Sequence, residues 1–277
     1  MDAAVQGLLI RVSSLVTRVS PERWARGEIV KTRKAFTLIE LLVVISILTM
    51  LMAILLPTLG RVRKQAKGVA CQSNLRQWNL LFSMYLDDHH GRFWDNYPRH
   101  EWVWRFERYR LDYSAFALCP IATRYDVKRP AYSAWAIPYY WQTVKMSYGI
   151  NGWLSYPGSD TQHPDHYWGT RDVKGAPNIP VLFDCGGAEY MPLQPYDWPP
   201  PDRPPCEWDG LRSTPCIDRH GEWINILFLD GSIRHVRLKG IWTLKWSRKY
   251  DTAGPGTRAG GVQPEDWPEW MRKFKDY

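Results

Sequence analysis

The chain has 277 residues, of which 45% are hydrophobic and 23% charged, and its formal net charge at pH 7 is +8. This length holds one globular domain plus a membrane helix, and the apolar fraction excludes a globally disordered chain. Half of the charge lies in residues 1–35, which contain seven Lys or Arg and three acidic residues. The net +4 that remains is weak for a nucleic-acid-binding protein, so no nucleic-acid partner is expected.

The first 35 residues are interpreted as a leader that is removed, or in part as a product of start-site choice. Residues 1–30 combine scattered apolar residues with Arg and contain the helix breaker Pro21. If translation began at Val30, the leader would be only Val30–Ala35.

Phe36–Leu56 is an apolar run of 21 residues with one formal charge, Glu40. As a helix it would extend roughly 30 Å, the hydrocarbon thickness of a bilayer. A secretory signal has a shorter apolar region, about 7–15 residues, that ends in a small-x-small cleavage site. This run instead ends in Pro57 and the basic stretch Arg61–Lys64. A carboxylate inside lipid costs a few kcal/mol, so Glu40 is expected to have a cationic partner.

From Thr58 to Asp88 the helical pattern continues, and His89-His90-Gly91 is predicted to end the helix. Apolar residues recur there at steps of mostly three or four, which predicts one buried face. The residues predicted on that face are Val62, Ala66, Val69, Ala70, Leu75, Trp78, Asn79, Phe82 and Leu86.

Lys34–Ile45 (KAFTLIELLVVI) resembles the N-terminal signature of type IV prepilins and type II secretion pseudopilins. The resemblance implies that prepilin peptidase cleaves between Ala35 and Phe36 and N-methylates the new terminus. It also implies that Glu40 pairs with the N-terminal amine of a neighbouring subunit, and that Pro57 matches a family proline that bends the helix. The family has Gly where this chain has Ala35, the smallest alternative.

Beyond Arg92 the helical period is lost, and the composition predicts an α+β head with a small antiparallel sheet and long loops. The predicted elements are a short helix at Glu101–Tyr113, a strand that runs into a turn at Phe116–Pro120, strands at Ser147–Asn151 and Pro180–Asp184, and loops at Tyr156–Gly175 and Gly186–Pro215. In the tail, Glu265–Tyr277 is charged and aromatic and is interpreted as a short amphipathic helix.

The strongest hairpin pattern joins Ile224–Leu229 to Ser232–Leu238 through Asp230-Gly231. Asp-Gly between two β-rich runs favours a two-residue turn with positive φ. His220, nine residues and then Asp230-Gly231 also resemble the C-terminal motif of a prepilin-like subgroup named for its His-x9-Asp-Gly pattern.

The segment Ala70–Gln77 resembles the one that follows the membrane helix in a large pilin-like subgroup. With the Cys119-Pro120 and Ser147–Asn151 segments, the resemblance covers most of Phe36–Leu238.

His220 and Asp230 are not predicted to be a catalytic pair. Ten residues of strand span about 33 Å, so the two side chains would lie at opposite ends of one strand. A turn histidine and a hairpin aspartate are the preferred interpretation. His163 with His166, and the acids and histidines of 87–90, are likewise interpreted as a solvated turn and a helix end.

Five cysteines are present, without a CxxC or a Cys/His zinc spacing. In an exported domain disulfides can form. Cys206 with Cys216 would close a short loop, and Cys71 with Cys119 is a second candidate pair. Cys185 is the remaining cysteine. Because the number of cysteines is odd, at least one thiol is free or forms an intermolecular bond.

No phosphate-binding glycine loop, nucleophile elbow or His-Glu-x-x-His motif is present, so an enzyme is not expected and no cofactor is predicted. No metal site is predicted either. The weak exception is Ca²⁺ at Asp184 or Asp209, since some secretion pseudopilins bind Ca²⁺ through loop carboxylates, although no calcium-loop spacing is present.

The sequence therefore predicts a leader (1–35), a transmembrane and assembly helix (36–57), its amphipathic extension (58–90), a head (91–240) and a tail (241–277). The expected function is that of a pseudopilin-like structural subunit of a type II secretion or type IV pilus-like filament. Its expected partners are prepilin peptidase, pilin-like subunits and an inner-membrane assembly platform. The expected location is the inner membrane, crossed once, with the head in the periplasm or at the cell surface.

An alternative of another class is a membrane-anchored envelope protein that binds glycan through Trp-rich loops and does not polymerise. Exposed aromatic rings anchor interfaces, and the chain contains 16 Trp.

Overall fold

The computed structural model describes residues 37–95, 99–109, 113–122, 134–139, 142–158, 162–194, 198, 200, 215, 217 and 219–276. The leader with the predicted cleavage site, Cys206, Asp209 and Cys216 lie outside the described residues. The chain divides into two compact units, 1–55 and 56–277, with the boundary just before Pro57.

The long N-terminal helix predicted from the apolar and amphipathic patterns is confirmed as α1, Leu38–Asp88. Its C-terminus is closed by His90 and Gly91, which both have positive φ, and the Gly91 N–H bonds to Leu86 O at 2.6 Å. This left-handed ending is the predicted role of the His-His-Gly sequence. Pro57 lies inside the helix, where it has no N–H to donate to the preceding turn.

In the second unit, the buried face of α1 is displaced from the predicted one. The prediction was wrong for Val62, Ala66, Val69 and Ala70, which are exposed. Burial begins at Gly68 and continues through Cys71, Leu75, Trp78, Leu81, Phe82, Tyr85 and Leu86. Hydropathy predicts that Val is buried in preference to Gly and Cys. The head instead packs against the face of α1 that carries Gly68 and Cys71.

The head contains a five-stranded sheet in the order β5-β3-β4-β6-β7 and a separate two-stranded hairpin, β1-β2. The strands are β1 Trp135–Tyr139, β2 Gln142–Met146, β3 Tyr148–Asn151, β4 Pro180–Asp184, β5 Glu189–Tyr190, β6 Trp223–Phe228 and β7 Ile233–Arg237. The strands predicted at Ser147–Asn151 and Pro180–Asp184 are therefore confirmed, and the fold class is α+β.

The sheet is mixed rather than wholly antiparallel, because β5 runs parallel to β3. The other three pairings are antiparallel. After β4 the chain reverses and returns along the free edge of β3, so its direction must match that of β3. This short strand lies in a region predicted to be entirely loop.

Phe116–Pro120 was predicted to be a strand that runs into a turn, and it contains turns and bends but no strand. Side chains of α1 occupy its carbonyl oxygens: Trp78 Nε1 donates to Phe116 O at 3.2 Å, and Asn74 Nδ2 donates to Leu118 O at 2.9 Å. These bonds fasten the segment to the helix and replace the ladder that a strand would need.

Two predicted helices are also smaller or tighter than expected. The one at Glu101–Tyr113 is a 3₁₀ helix, Arg99–Tyr109. The tail helix is a single turn, α2, Glu269–Arg272, and Pro268 at its N-cap separates it from the preceding residues of the predicted helix. The tail nevertheless contributes Trp267 and Met271 to the core, where each is at most 2% exposed.

The predicted hairpin is confirmed, with β6 and β7 in register from Trp223↔Arg237 to Leu227↔Ile233. Its turn is longer than the two-residue turn predicted. The Phe228 N–H bonds to Ser232 O at 2.8 Å, which leaves a three-residue loop in which only Gly231 has positive φ, +81°. Asp230 Oδ1 accepts from the Ser232 N–H at 3.0 Å and stabilises the loop.

Gly231→Val is expected to destabilise the head. A β-branched residue at this φ costs on the order of 1–3 kcal/mol, and a Cβ there would lie 3.1 Å from Asn79 Nδ2 of α1. Thermal unfolding and limited proteolysis of the full-length protein in detergent measure the loss. Gly231→Asn is the matched control, since Asn tolerates positive φ and meets the same neighbour. If Gly231→Val and Gly231→Asn lose the same stability relative to the parent chain, backbone strain at Gly231 does not explain the loss.

Candidate functional site

The N-terminus of α1 is held by a capping box between Thr37 and Glu40. The Glu40 N–H bonds to Thr37 Oγ1 at 3.2 Å, while Glu40 Oε2 accepts from Thr37 N and from Thr37 Oγ1, each at 2.8 Å. This Thr-x-x-Glu pattern satisfies backbone donors that a helix start leaves without partners. The resemblance to prepilins assigns Glu40 only to assembly, and its capping role was not predicted, although the Thr-x-x-Glu spacing is visible in the sequence.

Behind this cap, the apolar surface of α1 is uncovered. Every residue from 37 to 67 is exposed, with Leu38 at 83% and Leu56 at 68%. The most apolar 18-residue window of the helix has a mean hydropathy of 2.8 and no buried residue. A surface of this size and length is unfavourable in water and matches a bilayer or a bundle of like helices.

A second set of reactive side chains is buried in the head: Cys71, Cys119, Asp184 and His220, hereafter the Cys/Asp/His cluster. Cys71 comes from α1, Cys119 from the segment fastened to that helix, Asp184 from the end of β4 and His220 from the turn before β6. The two sulfurs and Asp184 are fully buried, and the His220 side chain is 7% exposed.

Short contacts connect the cluster. Cys71 Sγ lies 3.4 Å from Asp184 Oδ1, and His220 Nε2 lies 3.3 Å from both Asp184 Oδ2 and Cys119 Sγ. The four ligand atoms all lie within 4.8 Å of one another. This arrangement brings two thiols, an imidazole and a carboxylate to one point.

Further donors surround the carboxylate of Asp184. Arg219 is fully buried at its side chain and bonds to Oδ1 at 3.2 Å. The backbone N–H and the side-chain amide of Asn225 bond to Oδ2 at 2.9 and 3.0 Å. On the other side, the Tyr148 hydroxyl donates to Cys71 Sγ at 3.2 Å. The carboxylate is thus oriented by three different segments.

These contacts lower the pKa of Asp184 and raise the pKa of His220. Burial opposes ionisation of Asp184, but the hydrogen bond and charge of His220 and the charge of Arg219 hold its pKa well below the ordinary range. Burial likewise opposes a charge on His220, yet Asp184 and Cys119 raise its pKa to about 10. Burial raises the pKa of both thiols, and hydrogen bonds from Cys71 and His220 reverse this for Cys119, whose pKa falls to about 6.

The structure separates His220 from Asp230, as predicted. His220 precedes β6 and Asp230 follows it, so they lie at its two ends. The histidine is not a solvated turn residue, however, because it belongs to the buried cluster.

The structure also contradicts the candidate Cys71–Cys119 disulfide and argues against Asp184 as a Ca²⁺ ligand. Cys71 and Cys119 are free thiols that lie side by side and are not joined in a disulfide. Asp184 is a poor Ca²⁺ ligand, since it is buried against an arginine and two thiols rather than among loop carbonyls.

His163 and His166 have packing roles. Their rings contact each other edge to face at 5.4 Å and lie on Trp153, and His166 Nδ1 is 3.1 Å from Ser247 Oγ. His89, at the helix end, stacks on Tyr85 at 4.0 Å.

The cluster escaped sequence analysis because its members are far apart, 113 residues from Cys71 to Asp184 and 101 from Cys119 to His220. One signal was available. Four of the segments that carried the resemblance or a predicted strand (Ala70–Gln77, Phe116–Pro120, Pro180–Asp184 and the His-x9-Asp-Gly motif) each contain one member of the cluster.

Replacement of Asp184 by Asn is expected to destabilise the head by about 3–5 kcal/mol, because it removes the negative charge of the buried ion pair with Arg219. Denaturant unfolding measures this loss. Asp87→Asn is the matched control, since it breaks an exposed Asp–Arg pair with Arg171, worth about 1 kcal/mol or less. Equal effects of the two substitutions would contradict a buried ionic role for Asp184.

A family model described as the prokaryotic N-terminal methylation motif matches residues 30–56, which include the predicted cleavage site, Glu40 and the whole apolar run. No curated protein and no solved structure matches the chain. The match coincides with the capped, uncovered start of α1. Residues 30–56 of this chain therefore carry the prepilin signature, which marks it as a prepilin-type substrate of prepilin peptidase.

Proposed function

We propose that the protein is a pseudopilin-like structural subunit of a type II secretion or type IV pilus-like filament. One observation carries this proposal: the prepilin signature begins a helix whose apolar surface is wholly exposed over residues 38–56. Such a helix is anchored in a bilayer before assembly and is covered by identical or related helices afterwards. The partners are then pilin-like subunits and an inner-membrane assembly platform.

The membrane arrangement that accompanies this function is a single crossing of the inner membrane. The apolar run supplies the crossing, and the head, with the sheet and the Cys/Asp/His cluster, lies in the periplasm or at the cell surface. Charge alone does not set this orientation, since basic residues flank both ends of the run, so the resemblance to prepilins supports it.

The capping box gives Glu40 a way to serve both the helix and the filament. Oε2 is used by Thr37, whereas Oε1 makes no hydrogen bond with any residue that the structure describes. Cleavage before Phe36 creates a cationic amine, and a neighbour's amine can pair with the second oxygen while the cap stays intact. In an apolar bundle, loss of either charge would leave the other buried without a partner, which is strongly unfavourable.

The glycan-binding alternative has less support from the structure. Among the tryptophans whose side chains are described, none is exposed, and eight are buried in the core: Trp78, Trp94, Trp102, Trp153, Trp168, Trp242, Trp246 and Trp267. Trp78, for example, contacts Phe116 and Trp102 with ring centroids 5.2 and 5.4 Å apart. This pattern favours a packing role for the aromatic residues.

The two functions are separated by fractionation of the native host. A filament subunit is expected in material sheared from the cell surface or in cross-linked ladders of like subunits. A protein that stays wholly in the membrane fraction as a monomer and binds glycan would contradict the filament function.

The mature chain is expected to begin at Phe36 with a methylated amine, because the signature places the peptidase site after Ala35. Intact-mass and N-terminal peptide mass spectrometry of the membrane-extracted protein test this. Ala35→Gly restores the family residue and is the control, expected to be cleaved at the same bond at least as completely. An uncleaved N-terminus, or cleavage beyond Leu56, would argue against prepilin processing.

Glu40→Ala and Glu40→Gln are both expected to be inserted and cleaved but to enter filaments at least about tenfold less than the parent, since an unmatched buried charge costs more than about 1.4 kcal/mol. Co-expression with tagged parent chain and quantification of each in sheared filaments gives the measurement. Gln retains the capping box and loses only the charge, so it separates the two roles. Normal incorporation of Glu40→Gln would show that the charge is not needed.

A further inference from the structure

We propose that the Cys/Asp/His cluster binds one Zn²⁺, with Cys71 Sγ, Cys119 Sγ, Asp184 and His220 Nε2 as its four ligands. The site joins α1 to three separate segments of the head. It is distinct from the assembly surface of the helix and does not depend on the filament function.

The spacing of the ligand atoms suits a tetrahedral zinc ion. With Zn–S bonds of about 2.3 Å and Zn–N or Zn–O bonds of about 2.0–2.1 Å, the edges of the tetrahedron measure roughly 3.3–3.8 Å. The Cys71–Asp184 and Cys119–His220 contacts, 3.4 and 3.3 Å, already have this length, as does the His220–Asp184 contact of 3.3 Å. The other three pairs of ligand atoms lie within 4.8 Å of each other, so metal binding requires them to approach by on the order of 1 Å at most.

The donor set selects the metal. Two thiolates and one imidazole are ligands that Zn²⁺ accepts and that Ca²⁺ and Mg²⁺ do not favour. The site is almost fully enclosed, with only the His220 side chain 7% exposed, and offers four protein ligands, which is the arrangement of structural rather than catalytic zinc.

Charge is balanced when the ion binds. Two thiolates and one carboxylate contribute −3, and Zn²⁺ with the buried Arg219 guanidinium contributes +3. Binding displaces two protons: the one on Cys71 and the one shared by Cys119 and His220. Arg219 and Asn225 remain on the carboxylate and orient it, as outer hydrogen bonds do in known metal sites.

The first experiment measures metal directly. Full-length protein is purified in detergent without chelator, and zinc is quantified by plasma mass spectrometry, with about one Zn²⁺ per chain expected. After removal of the metal, added Co²⁺ should give the visible absorption of a tetrahedral site and a sulfur-to-cobalt charge-transfer band. Because these readings use the parent chain, they do not depend on whether a variant folds.

Substitutions then assign the ligands. Cys71→Ser and Cys119→Ser should each reduce bound zinc at least about tenfold, in line with loss of a metal ligand. Cys185→Ser is the matched control, since it removes a third buried cysteine that lies outside the cluster, and it should retain the metal.

Two results would overturn the proposal. One is a protein that contains no zinc and takes up no Co²⁺ with a tetrahedral spectrum. The other is a disulfide between Cys71 and Cys119 in the protein as purified, before any metal is removed, detected by thiol alkylation and peptide mass spectrometry, since that bond uses both sulfurs. Equal zinc loss in Cys185→Ser would also contradict the ligand assignment.

Discussion

The head depends on a single buried carboxylate. Asp184 accepts hydrogen bonds from Arg219, His220, Asn225 and Cys71, which belong to the turn before β6, to β6 itself and to α1. An isolated carboxylate in a protein interior costs several kcal/mol, so β4 can place Asp184 there only if these donors are already present. The consequence is that the helix, the sheet and the turn before β6 must pack together, because each satisfies the same charge.

The helix α1, one element from Leu38 to Asp88, serves two environments. Residues 38–56 contribute apolar surface that no described residue covers, while Gly68, Cys71 and the residues at three- and four-residue steps beyond them enter the core. Stability of the head and affinity for a membrane or a neighbouring subunit therefore depend on different residues of one element. Substitutions in the first segment are expected to affect assembly, and those beyond Gly68 to affect folding.

The His-x9-Asp-Gly pattern has a structural explanation in this chain. His220 enters the buried cluster, β6 crosses the sheet, and Asp230 and Gly231 form the turn to β7. The spacing between the histidine and the Asp-Gly pair corresponds to the length of the strand between two fixed ends. The residues belong to one motif because they bound the same strand, although they perform separate tasks.

Much of this molecule follows from local pattern in the sequence. The apolar run, its capping residues and the Gly91 ending determine α1, since helix start, period and stop signals all act within a few residues. The alternation of β-rich residues around Asp230-Gly231 determines the hairpin for the same reason. The prepilin signature is likewise a contiguous segment.

Only the tertiary structure decided which face of α1 is buried and which side chains meet in the Cys/Asp/His cluster. Hydropathy placed Val62 and Val69 in the core, but the head packs against Gly68 and Cys71 instead, because small residues and a thiol allow the sheet and His220 to approach the helix. Phe116–Pro120 became a bound turn because Trp78 and Asn74 take its carbonyl groups. Cys71 and Asp184 meet across 113 residues, and no local pattern specifies a contact that exists only once strands and helix have packed.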